Sequence, residues 1–465
     1  MSTVYKTKEE VYTQAKKILN KSLREFVPAD SIEDIEDVIE KYRGRKKGLL
    51  GDLIEVYLFD KEPDNVSEAD FNIAGVELKT NPIKEHPTKK YISKERLVFS
   101  MIDYEKIVEE VWETSSFLKK NQILLLMFYL FLSTVSIIDY EFKFIKLLDL
   151  LKDISSDDVL QIKRDWEFIV KKIKRGEAHL LSEGDTYYLG ACTKAQNSSV
   201  VRGQPGSDIK AKPRAFSLKQ QYLNYLIQKD LLGNDLEAES ILNKNLSKDR
   251  GPRTIEEVFG EKFRPFINKT DTEILKLLNT TLGKEPKNYK RLLVNKMLGV
   301  SSNKVEELEK ANVVLKVITL ESSGSLTESI SFPAFDYRDI VGQVWDDDDD
   351  EKMSDLHTLL ETNKFLFVIF QKIDSSDDIV LKKTMFWNFP MNDIEEAHRV
   401  WEKTKECIVS GHYLELPKIT DSPVIHVRPH GKDASDTMLT PQGTQEVKRC
   451  FWLNAKYIQK AIGKL

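Results

Sequence analysis

The chain has 465 residues, 41% of them apolar and 31% charged, with a formal net charge of −5; this length exceeds one ordinary domain and points to two. The balance excludes a disordered chain, and a weakly acidic total does not announce a nucleic-acid partner, because a phosphate-binding groove is a local feature. Cys192, Cys407 and Cys450 are widely spaced without a CxxC pair, which excludes a disulfide framework or a cysteine zinc site and fits a reducing cytoplasm.

The first residues are charged and polar, with no apolar signal-peptide core. Residues 8–27 read as a helix, 30–43 as a second entered through Ser31, and 45–59 as a third that carries Glu55 on the border of its apolar face. Strands are expected at 70–80, 97–102 and 122–132. The last holds the longest apolar run, about half the length of a membrane span, and is read as buried core. Helices follow over 140–175, short strands near 186–192 and 214–218, and a helix at 217–231. Helices around a central mixed sheet make an α/β domain.

The pattern then repeats. Asp103-Tyr-Glu-Lys-Ile-Val-Glu-Glu-Val-Trp112 returns as Asp336-Tyr-Arg-Asp-Ile-Val-Gly-Gln-Val-Trp345, identical at six of ten positions. Gly75-Val-Glu-Leu-Lys-Thr80 returns weakly as Asn312-Val-Val-Leu-Lys-Val317, Arg214-Ala-Phe-Ser-Leu218 as Arg449-Cys-Phe-Trp-Leu453, and Lys47-Gly-Leu-Leu50 as Lys290-Arg-Leu-Leu293. All four blocks keep their order, so the chain reads as a diverged duplication. The expected division is a first domain over 1–235, a turn-rich linker over 236–254 and a second domain over 255–465. The acidic run from Asp346 to Glu351 falls in an insertion of the second copy and reads as a solvated loop.

Chemistry concentrates in Asp70-Phe-Asn-Ile-Ala-Gly-Val-Glu77-Leu-Lys79. Around Gly75 the chain can turn, and a period-two strand then buries Val76 and Leu78 while presenting Glu77 and Lys79 together. Asp70 folds back beside them. Phosphodiester hydrolysis needs an activated water and stabilised charge at phosphorus, which carboxylate-held divalent ions supply. Mg²⁺ prefers few protein oxygens plus waters, so Asp70 and Glu77 are the expected ligands, with Glu55 as a third acid and Lys79 at the attacking water. The same residues also suit an exposed hairpin face with a Glu–Lys pair. Basic residues gather over 78–96 and again over 202–219.

Lys47-Gly-Leu-Leu-Gly-Asp-Leu-Ile-Glu55, Asp70-Phe, Gly75-Val-Glu-Leu-Lys-Thr80, Trp112-Glu-Thr-Ser115 and Lys212-Pro-Arg-Ala-Phe-Ser-Leu-Lys219 occur in that order. Together they resemble the MutH mismatch-repair endonuclease and its restriction relatives that cut at GATC, over about residues 10 to 225. The resemblance implies a PD-(D/E)xK nuclease fold, built twice, and Mg²⁺-dependent cleavage by Asp70, Glu77 and Lys79. It supports Glu55 as the helical acid and implies a further lysine at the scissile phosphate, Lys120 in preference to Lys119. It sets the Lys-Pro-Arg element against the recognition site: Arg214 at bases or backbone, Lys212 and Lys219 at phosphates, and Lys47 at the DNA backbone.

The second copy sets Val314 opposite Glu77, Leu298 opposite Glu55 and Thr362 opposite Lys120, keeping Lys316 and a displaced acid, Glu307. It keeps Arg449 and adds His426-Val-Arg-Pro-His430. The expectation is a cytoplasmic type II restriction endonuclease making double-strand breaks at GATC, with no membrane segment. Its second domain would bind a second DNA copy as allosteric effector, through Arg449. A companion methyltransferase would protect host sites, and the monomer would be free to dimerise on DNA. A mismatch-repair nicking enzyme is the alternative.

Overall fold

The computed structural model describes residues 3–42, 48–63, 68–194, 200–234, 237–242, 251–346 and 352–463. In the first half the strands are β1 (Val76–His86), β2 (Lys90–Ser93), β3 (Leu97–Met101), β4 (Ile123–Leu130), β5 (Phe142–Asp149), β6 (Leu189–Thr193), β7 (Arg202–Gln204), β8 (Ser207–Ala211) and β9 (Arg214–Leu218). The apolar run forms β4, at the centre of a sheet ordered β2-β1-β4-β5. There β4 lies parallel to β1 and antiparallel to β5. Both faces of this sheet are covered: Leu124, Leu126 and Phe128 join one apolar cluster, and Leu125 and Met127 join another with Val76 and Leu78. A strand covered on both faces reads as continuous apolar sequence, which is why 123–130 does not alternate. A second antiparallel sheet, β3-β9-β6, and the hairpin β7-β8 complete this half.

The second half repeats the plan with β10 (Val313–Leu320), β11 (Ile330–Ala334), β12 (Lys364–Lys372), β13 (Ile379–Asn388), β14 (Ile425–Pro429), β15 (Thr437–Leu439), β16 (Gln445–Val447) and β17 (Arg449–Leu453). Its sheets run β10-β12-β13, β11-β17-β14 and β15-β16, again with a parallel first pair. Each half also carries a 19-residue helix, Ser156–Lys174 and Met391–Val409, whose tryptophan packs on the repeated one. Trp112 meets Trp166 at 5.8 Å, and Trp345 meets Trp401 at 5.6 Å. The duplication read in the sequence is therefore present as mixed α/β architecture in both halves.

Several elements differ from the sequence reading. Residues 142–149 form a strand where helix was expected; Phe142, Phe144 and Ile145 favour the pleated edge beside β4 over a helical turn. The helix expected over 8–27 breaks at Asn20, whose φ is +60°, and restarts under a capping box from Ser22. The hairpin β7-β8 was not anticipated, because its short strands carry little apolar alternation.

The halves share one continuous apolar cluster, which includes Trp166 and Tyr187 from the first and Phe259, Leu293 and Leu366 from the second. Tyr187 and Phe259 both pack edge-on against Phe386. Polar ties run beside it: Lys310 Nζ lies 3.1 and 3.0 Å from the two carboxylate oxygens of Asp158, and Tyr187 donates to Glu256 at 2.6 Å. Gly184 allows a close approach of the second half, since a Cβ there would stand 2.9 Å from the Asn363 carbonyl oxygen. Among the described residues no helix is long and apolar enough to cross a membrane.

Candidate active site

Asp70 and Glu77 come together through a tight turn. Phe71 and Val76 exchange both backbone hydrogen bonds, at 2.9 and 3.2 Å, and Gly75 between them has φ +66°. That left-handed conformation suits glycine, and it lets the chain double back so that Asp70 sits at the head of β1. The Asp70 amide donates to Glu77 Oε2 at 3.2 Å, and Asp70 Oδ2 accepts from the Leu78 amide at 2.8 Å. The two acids are thus locked by backbone groups rather than left to rotate.

Two lysines converge on Glu77. Lys79, two residues along the same strand face, donates to Glu77 Oε1 at 2.7 Å and to the Phe99 carbonyl at 3.4 Å. Lys120, from the short helix Ser116–Asn121, brings its Nζ to 3.7 Å from Glu77 Oε2 and 2.9 Å from the Glu68 carbonyl. Lys119 points into solvent, so the geometry selects Lys120 at this position. Glu77 is only 2% exposed, which departs from the open strand face expected from alternation. The sheet face that carries it is covered as well.

Burial pushes the Glu77 carboxyl above the usual carboxylate range; Lys79 and Lys120 oppose the rise and the neighbouring charge of Asp70 adds to it. Glu55 stands on the helix Leu49–Phe59, whose N-terminus is Gly48 at φ +87°. Its carboxyl is also raised, first by burial, with Asp70 again contributing. Asp70 is therefore close enough to both glutamates for its charge to be felt at each. Glu55 is held by Lys61 at 2.7 Å, a partner that sequence reasoning missed. Nothing in the pattern flags it, since Lys61 lies just past the helix end at Asp60, in the left-handed conformation.

Among the described residues no three acids or histidines stand preassembled as a metal cage. Asp70 and Glu77 are the carboxylates a hard divalent ion would meet, and two such ligands with waters suffice for Mg²⁺. Glu55 has one carboxylate oxygen engaged by Lys61. Glu55 and Glu77, whose proton affinity is raised by burial and by the Asp70 charge, make with Asp70 a donor set whose repulsion a divalent cation relieves.

The expected DNA-facing residues are distributed differently. Lys47 lies outside the described residues. Lys212 is partly exposed and paired with Asp346 of the second half at 2.7 Å. Arg214 is 2% exposed; its Nη1 donates to the Ala191 carbonyl at 2.6 Å and lies 3.4 Å from Glu361 Oε1. Lys219 is 3% exposed and donates to the Thr186 carbonyl at 2.6 Å, with burial and the nearby Lys364 lowering its pKa to about 8. Arg214 and Lys219 thus occupy the interior where surface positions were expected: Arg214 opens β9, a central strand with all five side chains buried, and Lys219 follows its last residue and is buried as well. Gln204 is likewise buried, fixing the hairpin through the Ile209 carbonyl and the Ala178 amide. The exposed basic side chains of this region are Arg202 and Lys210, on the hairpin β7-β8.

In the second half Lys316 occupies the place of Lys79. Glu307 is consumed elsewhere, accepting from Ser240 Oγ at 2.6 Å and from the amides of Ile241 and Leu242. The acid aligned with Asp70 now ties down the connecting segment. Arg449 is half-buried, beside Tyr337.

Comparison with known proteins agrees with this geometry. The family described as DNA mismatch repair enzyme MutH matches residues 59–165, the stretch that carries Asp70, Glu77, Lys79 and Lys120. The type II restriction enzyme Sau3AI of Staphylococcus aureus is 32% identical over 510 aligned residues, which cover 99% of this chain and 99% of that protein.

Proposed function

The chain belongs to the family of MutH-related type II restriction endonucleases, site-specific deoxyribonucleases, and from that premise we propose that it makes Mg²⁺-dependent double-strand breaks at GATC. The observation that carries the catalytic assignment is the convergence of Lys79 and Lys120 on Glu77, itself tied to Asp70 by backbone hydrogen bonds. In this reading Asp70 and Glu77, joined by Glu55, hold the divalent ion, which supplies Lewis acidity at phosphorus and a more acidic water. Lys79 Nζ orients the attacking water on the strand face it shares with Glu77. Lys120 Nζ binds a non-bridging oxygen of the scissile phosphate and neutralises charge that builds there. Lys212, Arg214, Lys219 and Lys47 form the proposed DNA-reading group; for Arg214 and Lys219 this requires that the contacts with the second half open on DNA.

Residues 1–235 are the proposed catalytic domain and 255–465 a proposed effector domain that binds a second GATC duplex. The replacement of Glu77 by Val314 supports this division, since one lysine without its acid cannot assemble the same hydrolytic site. A companion methyltransferase that protects host sites, and dimerisation on DNA, belong to the same reading. The test is digestion of unmethylated plasmid with Mg²⁺, followed by sequencing of the ends. Ends at GATC on both strands are expected, and ends at any other sequence refute the specificity. Strand-resolved products from a hemimethylated duplex check the mismatch-repair alternative, for which a single nick is diagnostic.

A further inference from the structure

In the first half Lys79 is neutralised by Glu77 at 2.7 Å. In the second half Val314 removes that acid, yet Lys316 remains half-buried. Its Nζ donates to the Ser331 carbonyl at 3.3 Å, and among the described residues no carboxylate reaches it. Burial pushes its pKa down, opposed by the nearby Cys450 thiol rather than by a carboxylate. An enclosed ammonium without a counter-ion is poised to take an anion from outside.

The surrounding sheet supplies more of the same sign. Ser331, Trp452 and His426 stand in one register row across β11, β17 and β14; Ala334, Cys450 and Arg428 form a second row. Side chains at His426, Arg428, Cys450 and Trp452 share the face opposite the apolar core, which takes Ile425, Val427, Phe451 and Leu453. Arg428 is exposed, its guanidinium 4.9 Å above the Trp452 ring, and His430 meets that ring edge-on at 5.6 Å. The Cys450 thiol feels both Arg428 and Lys316, so these two cations border one spot. Lys448 already pairs with Asp436 at 2.6 Å and is not counted.

Two ring nitrogens on this face are buried without a partner, Trp452 Nε1 and His426 Nε2. Asn454 donates to the Ser422 carbonyl at 2.7 Å, which turns its Oδ1 toward His426 Nδ1 at 2.5 Å. His426 Nδ1 therefore carries the proton and Nε2 is a bare acceptor. The equivalent row of the first half has Gly190 and Ser217, with Glu183 packed against the glycine and paired to Arg96. An acid covers that face in the first copy. In the second the face is cationic and aromatic, buried at His426 and Cys450 and exposed at Arg428.

We propose that this face, built from Lys316, Arg428 and Trp452, is where the second half grips a phosphodiester of effector DNA. The proposal rests on the effector reading above and adds the residues and the ligand group. Lys316 and Arg428 bind phosphate oxygens, and the partly exposed Trp452 ring lies against the sugar–base edge. The vestigial catalytic lysine has thus been kept as an anion-binding group.

The experiment uses the full-length Glu77→Ala chain, which holds DNA without cutting it, titrated with a fluorescein-labelled GATC duplex over a series of salt concentrations. Two duplexes are expected to bind. Adding Lys316→Met or Arg428→Ala should weaken the second about tenfold and flatten its log–log salt dependence by about 0.9 for each phosphate no longer neutralised, leaving the first unchanged. Lys316→Met removes an unpaired enclosed charge, so its melting temperature should not fall, and a fold defect does not confuse the reading. Two duplexes with an unchanged second affinity in both variants would overturn this face while sparing the effector domain. A single duplex on the Glu77→Ala parent would overturn both.

Discussion

Replacing Lys310 with methionine removes half of the most enclosed ion pair between the two halves. Lys310 and Asp158 side chains are each 4% exposed, and the ammonium bridges both carboxylate oxygens at 3.0 and 3.1 Å. The same ammonium lies 4.2 Å from the centre of the Tyr225 ring, while Asp158 keeps a 3.1 Å bond from the Tyr222 hydroxyl. Removing one partner of a buried pair costs about 3–5 kcal/mol, because the other charge is left in a medium that solvates it poorly. Losing the cation–π attraction to Tyr225 adds about 1 kcal/mol, so Lys310→Met should destabilise by about 4–6 kcal/mol. Adding Asp158→Asn removes the stranded charge and should recover most of the loss, leaving the double variant within about 2 kcal/mol of the parent. Urea unfolding followed by tryptophan fluorescence reads both halves, since Trp112 and Trp166 lie in one and Trp345 and Trp401 in the other. If the second half binds an effector duplex as proposed, coupling to the cleavage site crosses this interface, and stimulation by a second duplex should also weaken in the single variant. If the single and double variants unfold at the same urea concentration, the stranded-charge reasoning fails.

Lys120→Ala should slow single-turnover cleavage by at least about tenfold, while Lys119→Ala leaves it near the parent rate; equal effects would reject the assignment at Glu77. In metal-free protein the ionised form of Glu77 is disfavoured by burial, so its folded pKa lies above the unfolded value. A carboxyl raised in this way contributes stability below its unfolded pKa and loses it as pH climbs through the folded one. Glu77→Gln should therefore gain melting temperature relative to the parent as pH rises above the unfolded carboxyl pKa of about 4, and a pH-independent difference refutes the reading. Asp346 holds Lys212, a proposed phosphate contact, in a partly exposed pair worth under about 1 kcal/mol. Asp346→Asn should tighten DNA binding by severalfold at low salt and not at high salt; no change at low salt would show that Lys212 does not meet DNA.

The site's residue types were legible in the sequence because their chemistry is local. An acid, a glycine turn and an alternating Glu-x-Lys strand sit within ten residues, and Asp70, Glu77 and Lys79 meet by following the chain. Lys120 needed the resemblance to be singled out, since its approach depends on β1 and β4 being parallel neighbours. The duplication was legible too, because collinear blocks survive divergence and the repeated tryptophans keep their packing partners. Strand 142–149 was missed because edge pairing, not periodicity, decides it.

What the sequence determined by itself is the kind of chemistry and where along the chain it lies: carboxylates and lysines at one strand, and their partial loss in a second copy. What only the tertiary structure decided is exposure. Arg214 and Lys219 read as DNA contacts in a basic segment, yet Arg214 sits in β9, a central strand, against Glu361 of the second half, and Lys219 just beyond it is held at the Thr186 carbonyl, so both are inside. Lys316 read as a remnant, yet the missing acid leaves it, among the described residues, with no carboxylate partner, near the same thiol as Arg428. Charge is written in the residues, but whether a charge is paired, buried or open depends on which strands lie beside it, and that is fixed by contacts between residues far apart in the chain.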